Sequence, residues 1–157
     1  MIKIQESLLR SLSEKARTNP RKRKNYNFHK KDNDTLQRML NAMEPSTYVR
    51  PHKHVNPDKR EVFILLKGKI AVVEFDDEGK IIDKIILDHT SGNYAAEITT
   101  ASWHTVISFE SDSVYYEVKD GPYDSASDKV FADWSPDENS MESLLYLENL
   151  KHEIRSV

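Results

Sequence analysis

From Leu36 to Lys119 the chain is a succession of short segments in which apolar and polar residues alternate, with turn-forming residues between them. Period-two alternation is the pattern of a strand with one buried face. Segments this closely spaced leave no room for the crossover helices that a parallel sheet requires. Strands are predicted at 36–43, 47–54, 61–67, 69–76, 80–87, 94–98, 103–110 and 112–119. Lys67-Gly68-Lys69 and Asp76-Asp77-Glu78-Gly79-Lys80 put glycine where a tight reversal needs positive φ, and so mark two hairpins. Many short antiparallel strands with few helices point to a sandwich or a barrel.

Helices are expected only at the ends. Ile4, Leu8, Leu9, Leu12 and Ala16 fall on one helical face, and Asn19-Pro20 stops the run. Near the other end, Ser135-Pro136-Asp137-Glu138 has the form of a capping box with proline in the first turn. The helix it would open runs to about Ile154, with Leu144, Leu147, Leu150 and Ile154 as its apolar stripe. The 157 residues then divide into an N-terminal helix and basic arm (1–34), a barrel (35–134) and a C-terminal helix (135–157), which suits one core.

The longest purely apolar run, Val62 to Leu66, is far short of a membrane span, and the first residues lack the apolar stretch of a secretory signal. There are no cysteines to make disulfides or thiolate ligands. A cytoplasmic protein with no membrane partner is expected. Net charge is −3, yet residues 15–31 hold eight Lys or Arg and no acid, while residues 120–157 hold nine acids against three bases. Arg21-Lys22-Arg23-Lys24 could bind a polyanion, but the chain is acidic overall and has no nucleic-acid module. The arm is expected to pair with acidic surface on its own or a neighbouring subunit.

His52 and His54 lie one residue apart in a β-like run, so both imidazoles point one way and Lys53 the other. Such a pair serves as metal ligands or as packed, hydrogen-bonded core residues. Glu61 has the parity of Phe63 and Leu65, which turns it inward, where an unpaired charge is costly and a cation is a natural partner. The alternative places it at the strand mouth beside Lys59 and Arg60. His104 shares a face with Val106 and Ser108 and is the best third nitrogen. His29, His89 and His152 are expected at the surface, His29 excepted if the arm folds over the barrel mouth.

In this order Ser46, His52, His54, Glu61 and Gly68 resemble the first motif of the cupins, with serine in the glycine place and a longer gap before Glu61. Gly92, Thr99, Ala101, His104 and Ser108 follow the second motif loosely, and only His104 carries over. A longer string resembles the WbuC family of cupin-fold metalloproteins. It comprises Pro20-Arg21-Lys22-Arg23, Gln37-Arg38, Thr47 to His54, Lys59-Arg60-Glu61, Trp103-His104-Thr105, Glu117-Val118-Lys119, Gly121-Pro122-Tyr123, Asp128-Lys129, Phe131-Ala132 and Trp134-Ser135-Pro136. The resemblance implies a double-stranded β-helix, or jelly roll, a bound divalent metal, and a setting in O-antigen or related surface-polysaccharide synthesis.

Three imidazoles and a carboxylate leave one or two positions open and suit Zn, Fe, Mn, Ni or Co. An open site of this kind fits sugar or nucleotide-sugar isomerisation or epimerisation best, by Lewis-acid polarisation of a carbonyl. A non-catalytic carbohydrate-binding or regulatory module and an Fe(II)-dependent oxygenase are the competing readings. The expected pocket wall comprises Arg50, Lys59, Arg60, Trp103, Tyr115 and Lys119, with Glu117 and Tyr123 as acid-base candidates. A homodimer is expected, with the basic arm adding to the neighbour's sheet.

Overall fold

The computed structural model describes residues 1–156. Two antiparallel five-stranded sheets face each other, with one helix at each end of the chain: the jelly roll expected of a cupin. In chain order the elements are α1 (Glu6–Thr18), β1 (Arg23–Asn27), β2 (Leu36–Met43), β3 (His52–Lys53), β4 (Glu61–Lys67) and β5 (Ile70–Phe75). They continue with β6 (Ile81–Leu87), β7 (Ala95–Ile98), β8 (Trp103–Ser108), β9 (Ser113–Asp120), β10 (Val130–Phe131) and α2 (Glu142–Arg155). One sheet runs β1-β2-β9-β4-β7 and the other β10-β3-β8-β5-β6.

The central core lies between the sheets, where Met43, Phe63, Leu65 and Tyr115 meet Ile70, Val72, Leu87 and Val106. Each sheet is also covered outside. Leu9, Leu12 and Ala16 of α1 pack on Leu40, Ala42 and Val114, while Leu147, Leu150 and Ile154 of α2 pack on Ala71, Val73, Phe75 and Ile107. This double cover explains why β5 is apolar on both faces, unlike β4, where Glu61, Phe63 and Leu65 are buried and Ile64 is exposed. The two hairpin glycines do have positive φ, +78° at Gly68 and +86° at Gly79. A Cβ at Gly68 would run into Ser113. Gly68→Ala is therefore expected to lower stability by about 1–3 kcal/mol, read as an earlier urea midpoint with unchanged slope.

Three sequence expectations are corrected. The predicted strand 47–54 shrinks to His52–Lys53. Glu44 accepts the Thr47 amide in a turn, Pro51 has no N–H to give a ladder, and its carbonyl is taken by Ala132. The C-terminal helix starts at Glu142, not at Ser135, and its first residues carry no side-chain cap. The residues of the supposed capping box are engaged elsewhere: Ser135 Oγ donates to the Ala132 carbonyl, Asp137 binds Arg50, and Glu138 binds Arg21 and Arg23. Leu144 consequently falls outside the stripe and is exposed. The arm, finally, was expected to add to a neighbour's sheet, but Arg23–Asn27 pairs with β2 of its own chain, Asn25 opposite Asn41, and forms an edge strand there. Its basic residues meet acids of their own chain, Glu138 and, from α1, Asp112.

Candidate metal centre

Glu61 opens β4 in one sheet, and His52 and His104 lie side by side on β3 and β8 of the other, with His54 just beyond β3. The facing sheets therefore bring these four side chains to one end of the barrel. Each offers a ligand atom within 4.8 Å of the others. The imidazole centroids are 4.5 Å apart for His52 and His104, 5.3 Å for His52 and His54, and 5.7 Å for His54 and His104. All four residues are buried, Glu61 at 3% exposure. The inward parity expected for Glu61 is what the fold shows, and the solvent-facing alternative is overturned.

Hydrogen bonding settles which nitrogen faces the cluster. The Nδ1 atoms of His52, His54 and His104 meet the carbonyl oxygens of Arg50, Asp128 and Ser102 respectively. A carbonyl only accepts, so in the neutral ring each Nδ1 carries the proton and each Nε2 presents a lone pair. The Nε2 of His104 then stands 2.9 Å from Glu61 Oε2 and that of His54 3.4 Å from the same oxygen. Lone pairs at such distances repel unless a cation or proton lies among them. The His54 Nε2 is buried and has no hydrogen-bond partner among the described residues. Burial, with the Lys129 ammonium next in effect, holds the His52 imidazole well below its ordinary pKa and so in the neutral form that ligates. Three neutral nitrogens and one carboxylate oxygen fit a divalent transition metal.

Around this cluster lies a charged shell. Burial alone would raise the Glu61 carboxyl, but the His104 and His54 rings against it and the Lys119 ammonium hold it well below the usual carboxylate range. Burial and the Glu61 charge push the Glu117 carboxyl up to about 8. Its Oε2 accepts 2.8 Å from Asn41 Nδ2. Behind His54, Asp128 accepts 2.6 Å from Lys59 Nζ and 2.8 Å from Lys119 Nζ. Carboxylates raise Lys119 against the effect of its burial.

A pocket of about 420 Å³ opens beside the cluster between the arm, β2, β9 and the segment before β10. It is lined by Glu117, Lys119 and Tyr123, as the sequence suggested, and by Arg23, Asn25, Asn27, Asn41 and Lys129, which sequence reasoning passed over. The arm does fold over this mouth, and His29 lines it, accepting the Arg38 amide at Nδ1. None of the four cluster residues lines the pocket. Lys59 is tied into the buried pair with Asp128, and Arg60 reaches outward to Asp120. Arg50 lies outside, bound to Asp137 and the Ala132 carbonyl. Tyr115 is core, edge-on to Phe63. Trp103 occupies the opposite face of β8 from His104; it packs on Trp134, lies under Lys53 and donates to Asp77.

Among solved structures the chain resembles KdgF from Halomonas sp., with TM-score 0.52 and 14% identity over 69% of this chain and 87% of that one. It also resembles CapF, the capsular polysaccharide assembling protein from Staphylococcus aureus, with TM-score 0.55 and 20% identity. That match covers 68% of this chain but only 28% of CapF, so the chain spans less than a third of that protein. These likenesses are of fold. No curated protein matches the sequence. Residues 4–87, more than half of the chain, match the family described as Domain of unknown function (DUF6016), and the chain belongs to that family.

Proposed function

We propose that the chain is a divalent-metal cupin acting on a sugar or nucleotide-sugar in surface-polysaccharide synthesis, with isomerase- or epimerase-like chemistry. One observation carries the metal half: three buried imidazoles, each fixed through Nδ1, converge their Nε2 lone pairs on Glu61. His52, His54, His104 and Glu61 would hold the ion. When bound, it supplies Lewis-acid polarisation of a carbonyl or a bound water of lowered pKa. Glu117 stands at the inner wall of the pocket, anchored by Asn41, where it can exchange a proton with a ligand. Tyr123, 40% exposed, sits at the pocket's outer part. Lys119 fixes the wall through Asp128.

The sugar half is supported by the pocket's size and polar lining and by the WbuC-like string of residues. CapF, a capsular polysaccharide assembling protein, shares the fold with it. The burial of all four donors favours a second reading, a carbohydrate-binding module whose metal is structural. Metal analysis of the purified protein tests the first half: a stoichiometric divalent transition metal, removed by chelator, is expected, and its absence would sink the proposal. Turnover of candidate sugars and nucleotide-sugars separates the enzyme from the binder, which would shift in melting temperature yet release no product. Oxygen consumption only with Fe(II) would point to the oxygenase instead.

A further inference from the structure

The inner faces of the barrel differ from one side to the other. Under β4, β5 and β8 the lining is apolar, with Phe63, Val72 and Val106 in the core. Under β1 and β2 it carries amides. Asn25 and Asn27 share the pocket face of β1 with Arg23, and Asn41 stands opposite Asn25 on β2. Asn25 and Asn27 are exposed and Asn41 is half-buried, so these amides line the open side of the pocket, where a ligand can reach them. The protein itself meets them in part: Asn41 Nδ2 donates to Glu117 and Asn25 Nδ2 to Asn27 Oδ1. Those bonds use one donor group each and leave the Asn25 and Asn41 oxygens and the Asn27 Nδ2 without a protein partner among the described residues. Hydroxyl groups, which both donate and accept, complement such a mixed set.

The cations of the pocket are not equivalent either. Arg23 is closed by Glu138 and Lys119 by Asp128. Lys129 has no such carboxylate within ion-pair distance among the described residues; Glu61, Glu117 and Asp128 act on it only as surrounding charges. Once a divalent ion sits on Glu61 and the histidines, Lys129 Nζ, paired with no carboxylate, faces the ligand space, where a bound anion restores the charged form that its burial disfavours. An ammonium in a partly desolvated pocket recognises an anionic oxygen by a charge-assisted hydrogen bond.

We propose that the pocket binds a polyhydroxylated molecule bearing one anionic group, with Lys129 holding the anion and the amides of Asn25, Asn27 and Asn41 holding hydroxyls. This deepens the metal-cupin reading and rests on it for the charge balance. A carboxylate and a phosphate share the recognising chemistry, so glucuronate and glucose 6-phosphate are the two probes, with glucose, acetate and inorganic phosphate as controls.

Calorimetric titration of the metal-loaded full chain should show one or both sugar anions binding, and glucose about tenfold or more weaker. Lys129→Gln should remove that preference while metal content stays at the wild-type level, and Asn27→Ala should weaken the sugar anions but not the small ones. Equal binding of glucose, or of acetate and phosphate, would overturn the proposal, as would an anion preference that survives Lys129→Gln. Failure of both sugar anions to bind metal-loaded protein would overturn it while leaving the metal reading intact. Lys129-dependent sugar-anion binding by a protein that takes up no metal would support the pocket and sink the metal reading.

Discussion

His104→Ala should abolish stoichiometric metal binding and with it the stabilisation that metal confers. His104 joins the carboxylate to the imidazoles, with its Nε2 2.9 Å from Glu61 Oε2 and its ring 4.5 Å from that of His52 and 5.7 Å from that of His54. Its loss removes a ligand and the ring that packs against a buried carboxylate. A ligand that binds only the folded chain stabilises it by about 2.7 kcal/mol at a free concentration one hundred times its Kd. The wild type should gain that much on metal addition, and the variant should gain nothing at the same concentration. The affinity loss should exceed the roughly 10–100-fold that outer-shell changes cost. Glu61→Gln preserves shape and removes only the charge, so it should lower affinity less than His104→Ala. Melting curves with and without chelator, beside elemental analysis of each variant, give the answer. A His104→Ala protein that keeps its metal and its metal-dependent melting shift would remove this cluster as the site.

Two of the strands that carry ligands, β4 and β8, were legible because each has an apolar face to declare its phase, whereas the two-residue β3 that carries His52 has none. In β4, Phe63 and Leu65 fix the inward side, and Glu61 follows by parity; in β8, Val106 does the same for His104. The same parity excludes Trp103 from the pocket, since neighbours on a strand cannot share a face. Along β1 the alternation gives the period but misleads about phase. Arg23, Asn25 and Asn27 look like a solvated face, and Asn25 and Asn27 are indeed exposed, but this face lines a polar pocket that closes only against distant strands. The C-terminal helix was misplaced at its start for a related reason. Ser135, Asp137 and Glu138 have capping chemistry, but tertiary partners Ala132, Arg50 and Arg23 claim their side chains. Lys59, Lys119 and Asp128 lie far apart in sequence, and no local pattern announces that they meet.

That meeting carries the second large effect. Asp128 is 4% exposed and is clasped between Lys59 and Lys119, themselves buried, while its backbone carbonyl accepts the Nδ1 proton of His54. Burial alone would raise its carboxyl, but the two ammoniums hold it below the usual range. Asp128→Ala would leave two desolvated ammoniums without their anion, and breaking a buried pair in this way costs about 3–5 kcal/mol. An earlier urea midpoint of that size is expected, with metal affinity about 10–100-fold weaker because His54 loses its orientation. Lys59→Met should cost less, since Asp128 keeps Lys119. An Asp128→Ala protein within about 1 kcal/mol of wild type, with unchanged metal affinity, would show that the triad neither holds the fold nor orients the ligand. Replacing all three together by Met, Leu and Met separates the two roles. Buried ionic groups exchanged for apolar ones of similar volume are often neutral or stabilising. Stability should therefore return in the triple variant, and the metal affinity it keeps or loses then reports whether His54 depends on the backbone position of Asp128 or on the charges that hold it there.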